Sequence, residues 1–180
     1  MGFISNGGGG GGGVISGVTV TGTAASGQVP VASSSSAGSW SYPPGYEIGY
    51  DQITAPVTVT STTEATPTTI ITCAAHTFDG GAVMLEVYFP EVTIQTAASF
   101  TRVNLWEGAT NLGRLAQFST DANADVGTPA VLRLRFTPSA ASHTYVINGF
   151  GGNATGTIYT AGVGGSSGVY APAFARFTKC

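Results

Sequence analysis

Charge is what this sequence has least of. Asp, Glu, Lys and Arg make up 8% of its 180 residues, about a third of ordinary usage, and none of them occurs before Glu47. The six basic residues, Arg102, Arg114, Arg133, Arg135, Arg176 and Lys179, stand apart in a chain of net charge -3. They form no stripe able to neutralise a phosphate backbone, so nucleic acid is not expected as a partner. Cysteine is also scarce: Cys73 and Cys180 have no CxxC spacing to suggest a thiolate metal site and are read as free thiols. No run approaches the roughly 18 apolar residues that cross a bilayer. The opening MGFISNGGGG has neither a basic n-region nor an apolar h-region, so membrane insertion and signal-peptide export are both unexpected. Met1, Gly2 and Ser5 miss the myristoylation pattern, which wants Ser or Thr where Asn6 stands.

Glycine fills much of the space, 27 residues in all, with an unbroken tract at residues 7–13. Residues 1–45 hold too little apolar surface to offset an ordering cost of about 1–2 kcal/mol per residue. They are expected as an extended arm, whose loosely alternating Val14, Ile15, Val18 and Val20 form a strand that adds to a neighbour's sheet. Residues 46–180 are expected to form one all-β head domain. Val57 and Val59 alternate with Thr; Val83, Leu85, Val87 and Phe89 alternate with Met84, Glu86 and Tyr88; Leu132, Leu134 and Phe136 alternate with Arg133 and Arg135. Each pattern predicts a strand with one buried face. Such runs recur near residues 47–53, 57–63, 68–75, 83–89, 100–107, 112–119, 131–137, 143–150, 155–161 and 172–179. About ten strands suit an antiparallel jelly-roll sandwich of two sheets. Hairpins are expected across Gly108 to Asn111, at Asp79-Gly80-Gly81, and between Gly164 and Gly168.

Chemistry-bearing motifs are thin. Asp121, Asn123 and Asp125 have the i, i+2, i+4 spacing of a calcium loop, yet the glycine comes late at Gly127, Leu132 stands where the bidentate acid belongs, and no helices flank it. They are the weak candidate in a chain expected to hold no metal and no cofactor. His76 and His143 show no HxH or HExxH spacing. Gly164 to Gly168 fits the letters G-x-S-x-G but lacks the strand-to-helix setting of a nucleophile elbow, and choosing Ser142 with His143, or Asp79, ignores the need for an oriented base beside the nucleophile. Glu86, Glu91 and Glu107 lie on or beside strands, but spacing does not pair them as glycosidase carboxylates. The glycines from Gly149 to Gly152 lack the following helix and Lys of a phosphate loop, and the sequon at Asn153 has no secretory context. No catalytic residue is nominated, and the chain is not expected to be an enzyme. The aromatic set Trp40, Tyr42, Tyr46 and Tyr50 reads as a packed collar where arm meets head.

Val20-Thr21-Gly22-Thr23, Gly27-Gln28-Val29 and Trp40 together resemble short intertwining segments of bacteriophage head and tail fibres. Gly45-Tyr46-Glu47-Ile48, Thr62-Thr63-Glu64-Ala65-Thr66, Thr77-Phe78-Asp79-Gly80, and Gly164-Gly165 followed by Pro172-Ala173-Phe174-Ala175-Arg176 resemble a C-terminal module of phage virion proteins. The resemblance implies a tumour-necrosis-factor-like or C1q-like jelly roll that trimerises on the virion surface. It implies that Val18, Val20, Val29, Trp40, Tyr42 and Tyr46 carry interaction, and that the arm docks on other virion proteins. The function so implied is that of a head fibre or capsid decoration, with host-surface glycans as a further partner. A minor tail or tail-tip fibre is the alternative. A monomeric carbohydrate-binding module using Trp106 or Tyr88 is the second.

Overall fold

The computed structural model describes residues 14–15, 18–94, 98–121, 127–152, 156–159, 163–164 and 168–180. Among these there is no helix, and hence none long and apolar enough to cross a membrane. The strands are β1 (Val14–Ile15), β2 (Val18–Val20), β3 (Val29–Ala32), β4 (Ala37–Ser41), β5 (Glu47–Ile53), β6 (Val57–Val59), β7 (Thr68–Thr77) and β8 (Val83–Ile94). They continue with β9 (Phe100–Glu107), β10 (Thr110–Ser119), β11 (Thr128–Phe136), β12 (Ser142–Gly151), β13 (Gly156–Tyr159), β14 (Val163–Gly164), β15 (Gly168–Val169) and β16 (Ala173–Lys179).

Two sheets make the head. One runs β10-β9-β12-β7; the other runs β5-β16-β8-β13-β6, with β11 paired to the remaining edge of β8. All pairings in both sheets are antiparallel. The chain changes sheet repeatedly between β6 and β13, so sequence neighbours face one another across the core. That ordering, β7-β12-β9-β10 against β5-β16-β8-β11, is a jelly roll. Strand β8 is its spine: residues 83–88 pair with β16, residues 91–94 pair with β13, and β11 runs along the far side. The β8–β11 register slips beside Pro90, which cannot donate to a ladder and is tolerated at a bulge.

The expected buried faces form the core. Val83, Leu85, Val87 and Phe89 are fully buried against Leu105, Ile147, Tyr145 and Phe177, with Leu132, Leu134 and Phe136 packed on the cluster. Each such side chain contributes about 1.5–3 kcal/mol on leaving water. The Gly108 turn closes the β9–β10 hairpin, with φ +55 at Gly108 and Thr110 opposite Glu107. The β14–β15 pair lies where a hairpin was expected. Asp79-Gly80-Gly81, by contrast, is a crossover and not a hairpin: β7 and β8 belong to different sheets, and Gly80, at φ +84, turns the chain from one to the other.

The segment expected only as an extended arm contains a small sheet of its own, ordered β1-β2-β4-β3, in which β2 and β4 are parallel. The strand at Val18–Val20 therefore has both edges paired within its own chain, to β1 and β4. Gly38 makes this feasible: its neighbours are the Val31 backbone and the Val18 and Val20 methyls, and a side chain there would push them apart. The β3–β4 turn is closed by Ser33 and Ser34 nitrogens donating to the Ala37 carbonyl at 2.9 and 3.0 Å. Local hydroxyl and backbone bonds thus replace the apolar core that the segment lacks.

Candidate functional site

Register sorts the six nominated interaction residues. Val18, Val20 and Trp40 share one face of the small sheet with Gly38, Pro30 and Ala32, while Val29 projects from the opposite face beside Val31. A shallow cleft of about 170 Å³ lies on the first face, lined by Val18, Val20, Pro30 and Ala32. Trp40 Nε1 donates to the Gly22 carbonyl at 3.0 Å. Tyr42 and Tyr46 form the expected collar: their rings stack 4.8 Å apart with a 9° interplanar angle. Gly27, at φ +84, lies so close under the Tyr46 ring that a methyl there would overlap it. Tyr50 departs from the collar and lies on the head instead.

One carboxylate fastens arm to head. Asp79 Oδ2 accepts from Ser41 Oγ at 2.7 Å and from the Tyr42 nitrogen at 2.8 Å. Its Oδ1 accepts from Lys179 Nζ at 2.7 Å and from the Gly81 nitrogen at 2.9 Å. The Asp79 and Lys179 side chains are 2% and 10% exposed. Burial alone would raise the Asp79 pKa, but hydrogen bonds from Lys179, Ser41, Tyr42 and Gly81 outweigh it and hold the carboxyl far below its usual range. Around this pair the Gly45 nitrogen donates to the Lys179 carbonyl and the Lys179 nitrogen to that of Tyr46. Sequence reasoning took Asp79 as a turn residue and missed Lys179, because 100 residues separate the pair.

The outer face of the six-stranded sheet carries a row of rings. Phe174 on β16 lies between Tyr50 on β5, 5.2 Å away, and Tyr88 on β8, 5.5 Å away. Tyr88 pairs in turn with Val131 on β11, which is 57% exposed. Beside this row, Glu86 accepts from Arg176 at 2.7 Å and from Arg133 at 2.8 Å. The signal was present in the sequence: Tyr88 and Phe174 occupy the outward positions of strands whose inward positions are apolar.

Two histidines each lie against a carboxylate. His76 Nε2 meets Asp51 Oδ2 at 2.6 Å, and Asp51 also bonds the Cys73 thiol, whose pKa is pushed up to about 12 by burial and by that carboxylate. Asp51 bonds both thiol and imidazole, and with its pKa so high the thiol stays protonated at neutral pH. His143 Nδ1 bonds Glu107, and its Nε2 lies 3.0 Å from Ser139 Oγ, the order of a hydrolase triad. The same Nε2 also faces the Ser139 carbonyl at 3.1 Å, which is favourable only if it carries a proton. The Glu107 carboxylate, accepting from Nδ1, raises the His143 pKa. No group of three His, Cys, Asp or Glu side chains gathers as a metal site among the described residues. Asp121 is exposed at a loop edge; Asn123 and Asp125, like residues 7–13 and the Asn153 sequon, lie outside the described residues.

No family model and no curated protein matches the chain. Among solved structures it is similar to an Eiger tumour necrosis factor from S. frugiperda, at 9% identity and TM-score 0.42, over 77% of this chain and 94% of that one. It is also similar to the C-terminal CBM6 of LamC, a marine laminarinase from Zobellia galactanivorans, at 11% identity and TM-score 0.26, over 69% and 99% of the two chains. At TM-scores this low neither likeness bears on function. The class of protein is defined by the strand order: an all-β jelly-roll sandwich with a small sheet fastened to one end.

Proposed function

We propose that this chain is a non-enzymatic structural subunit of a phage virion surface: a homotrimeric head fibre or capsid decoration whose N-terminal region anchors it and whose jelly roll projects outward toward host glycans. The observation that carries the trimer is the outward row on the six-stranded sheet, in which exposed Tyr50 and Val131 flank half-buried Phe174 and Tyr88. Aromatic side chains are enriched where proteins meet, and single rings bury about 150–250 Å² each. A ring of three copies closes on itself and hides such a face, together with the open edges of β10 and β11. The fibre-like motifs around Val20, Gly27 and Trp40, on a segment bound to the head through Asp79, support the anchoring role. Three weak outward contacts then gain by avidity.

Light scattering on the full-length protein tests this reading. Three copies of an 18.1 kDa chain give about 54 kDa, and Phe174→Glu, which places a charge in the face without touching the core, should return the mass to that of one copy. A wild-type monomer overturns the trimer and favours the second reading, a carbohydrate-binding module that uses the Tyr50–Phe174–Tyr88 row as a sugar platform. A trimer located on the tail would make it a tail-tip fibre.

A further inference from the structure

The outer face of the four-stranded sheet holds polar atoms that the protein does not satisfy. Asn104 on β9 and Asn148 on β12 are register partners at its centre, 2% and 7% exposed. Both Oδ1 atoms are buried without a protein hydrogen-bond donor, and Trp106 Nε1, two residues along the same face, is buried without an acceptor. Turning the Asn104 amide over gives no relief: its Nδ2 donates to Glu64 Oε1 at 2.6 Å, so the reverse orientation would set oxygen against carboxylate. Glu64 comes from the exposed segment between β6 and β7 and also accepts from Asn111 Nδ2 at 2.5 Å. Two unmet buried acceptors are costly to keep, which calls for a species that bonds them both.

We propose that Asn104, Asn148 and Glu64 form a divalent-cation site of the calcium class. Two carboxamide oxygens and a carboxylate are an oxygen-only donor set, which suits calcium and lacks the nitrogen or sulfur that zinc or copper prefers. A water in the ion's shell keeps a lone pair that can accept from Trp106 Nε1, so the third unsatisfied atom is met as well. A sugar hydroxyl could bond the same atoms, but they have no solvent exposure for a pyranose ring to meet. One carboxylate makes the site weak, with Kd on the order of 0.1–1 mM. The site lies on the sheet opposite the aromatic row, and the proposal does not depend on the virion reading.

Terbium tests it, since the ion replaces calcium and emits when excited through a nearby indole. The chain has two tryptophans. Full-length protein titrated with terbium should give tryptophan-sensitised emission that calcium displaces; Trp106→Phe should abolish it and Trp40→Phe should leave it. Calcium should raise the melting temperature, and Glu64→Gln, a change at an exposed side chain that leaves the core intact, should weaken calcium competition at least tenfold. Emission that follows Trp40, or that persists unchanged in Glu64→Gln and so points to another loop such as that of Asp121, overturns the proposal. Absence of both emission and a melting shift up to about 10 mM calcium, ten times the weakest Kd expected, also overturns it and leaves an ordered water as the partner.

Discussion

At Asp79 four donors converge on one carboxylate, and the consequence is a pH dependence with a definite sign. The folded pKa lies below the unfolded value of about 3.9. Its stabilisation is therefore complete above that pH and is lost as pH falls through the folded value. The attachment of the N-terminal sheet should hold constant from neutral pH to about pH 5 and weaken below about pH 4. Asp79→Asn should remove that dependence and cost about 3–5 kcal/mol, because Lys179 would be left buried and unpaired. Thermal melts against pH, with hydrogen exchange at the Tyr42 amide, measure both. His143 has the opposite sign. Its pKa is raised by the bond it donates to Glu107, so its contribution is complete below about pH 6.5 and is lost as pH rises through the higher folded value. In an NMR titration Glu107→Gln should move the His143 midpoint downward; an unmoved midpoint would discount the Glu107 bond.

Elements differ in how far the chain announces them. Strand β8 was legible because Val83, Leu85, Val87 and Phe89 fall on every second residue, and β11 because Leu132, Leu134 and Phe136 do the same. The turn at Asp79 was misread because Asp-Gly-Gly serves a hairpin and a crossover equally well, and only the partner of the next strand separates the two. The small N-terminal sheet was missed because its strands are short, and its stability comes from hydroxyl turns and a docked collar. Gly27 tests that docking. An alanine there would strain the φ of +84 and strike the Tyr46 ring. Gly27→Ala should unstack Tyr42 from Tyr46 and expose the collar to proteolysis, while the melting of the jelly roll stays near its original temperature.

On the scale of the whole molecule the two sheet faces divide the labour. The six-stranded sheet presents rings bordered by Arg133, Glu86 and Arg176; the four-stranded sheet presents Asn104 and Asn148 under Glu64, in line with Arg102 and Trp106. The first face suits another apolar surface and the second suits an ion, so the proposed trimer and the proposed cation site are compatible on one chain. The corresponding measurement combines both: Phe174→Glu should break the assembly and leave terbium emission intact, and Glu64→Gln should do the reverse. Loss of both signals in either variant would mean that the faces are coupled through the fold.

By itself the sequence determined that this chain is all-β, where nearly every head strand lies and which residues form the core, because alternation along a strand is a local property with period two. It also placed the Tyr42–Tyr46 collar, since both rings lie close together in the chain. Only the tertiary structure decided which strands pair, that Lys179 reaches Asp79, that Tyr50 joins Phe174 and Tyr88 on one face, and that Asn104 and Asn148 meet beneath Glu64. The side-chain contacts among them join residues from 40 to 124 positions apart. Contacts of that kind are set by how two twisted sheets close over a shared core, which no local pattern encodes.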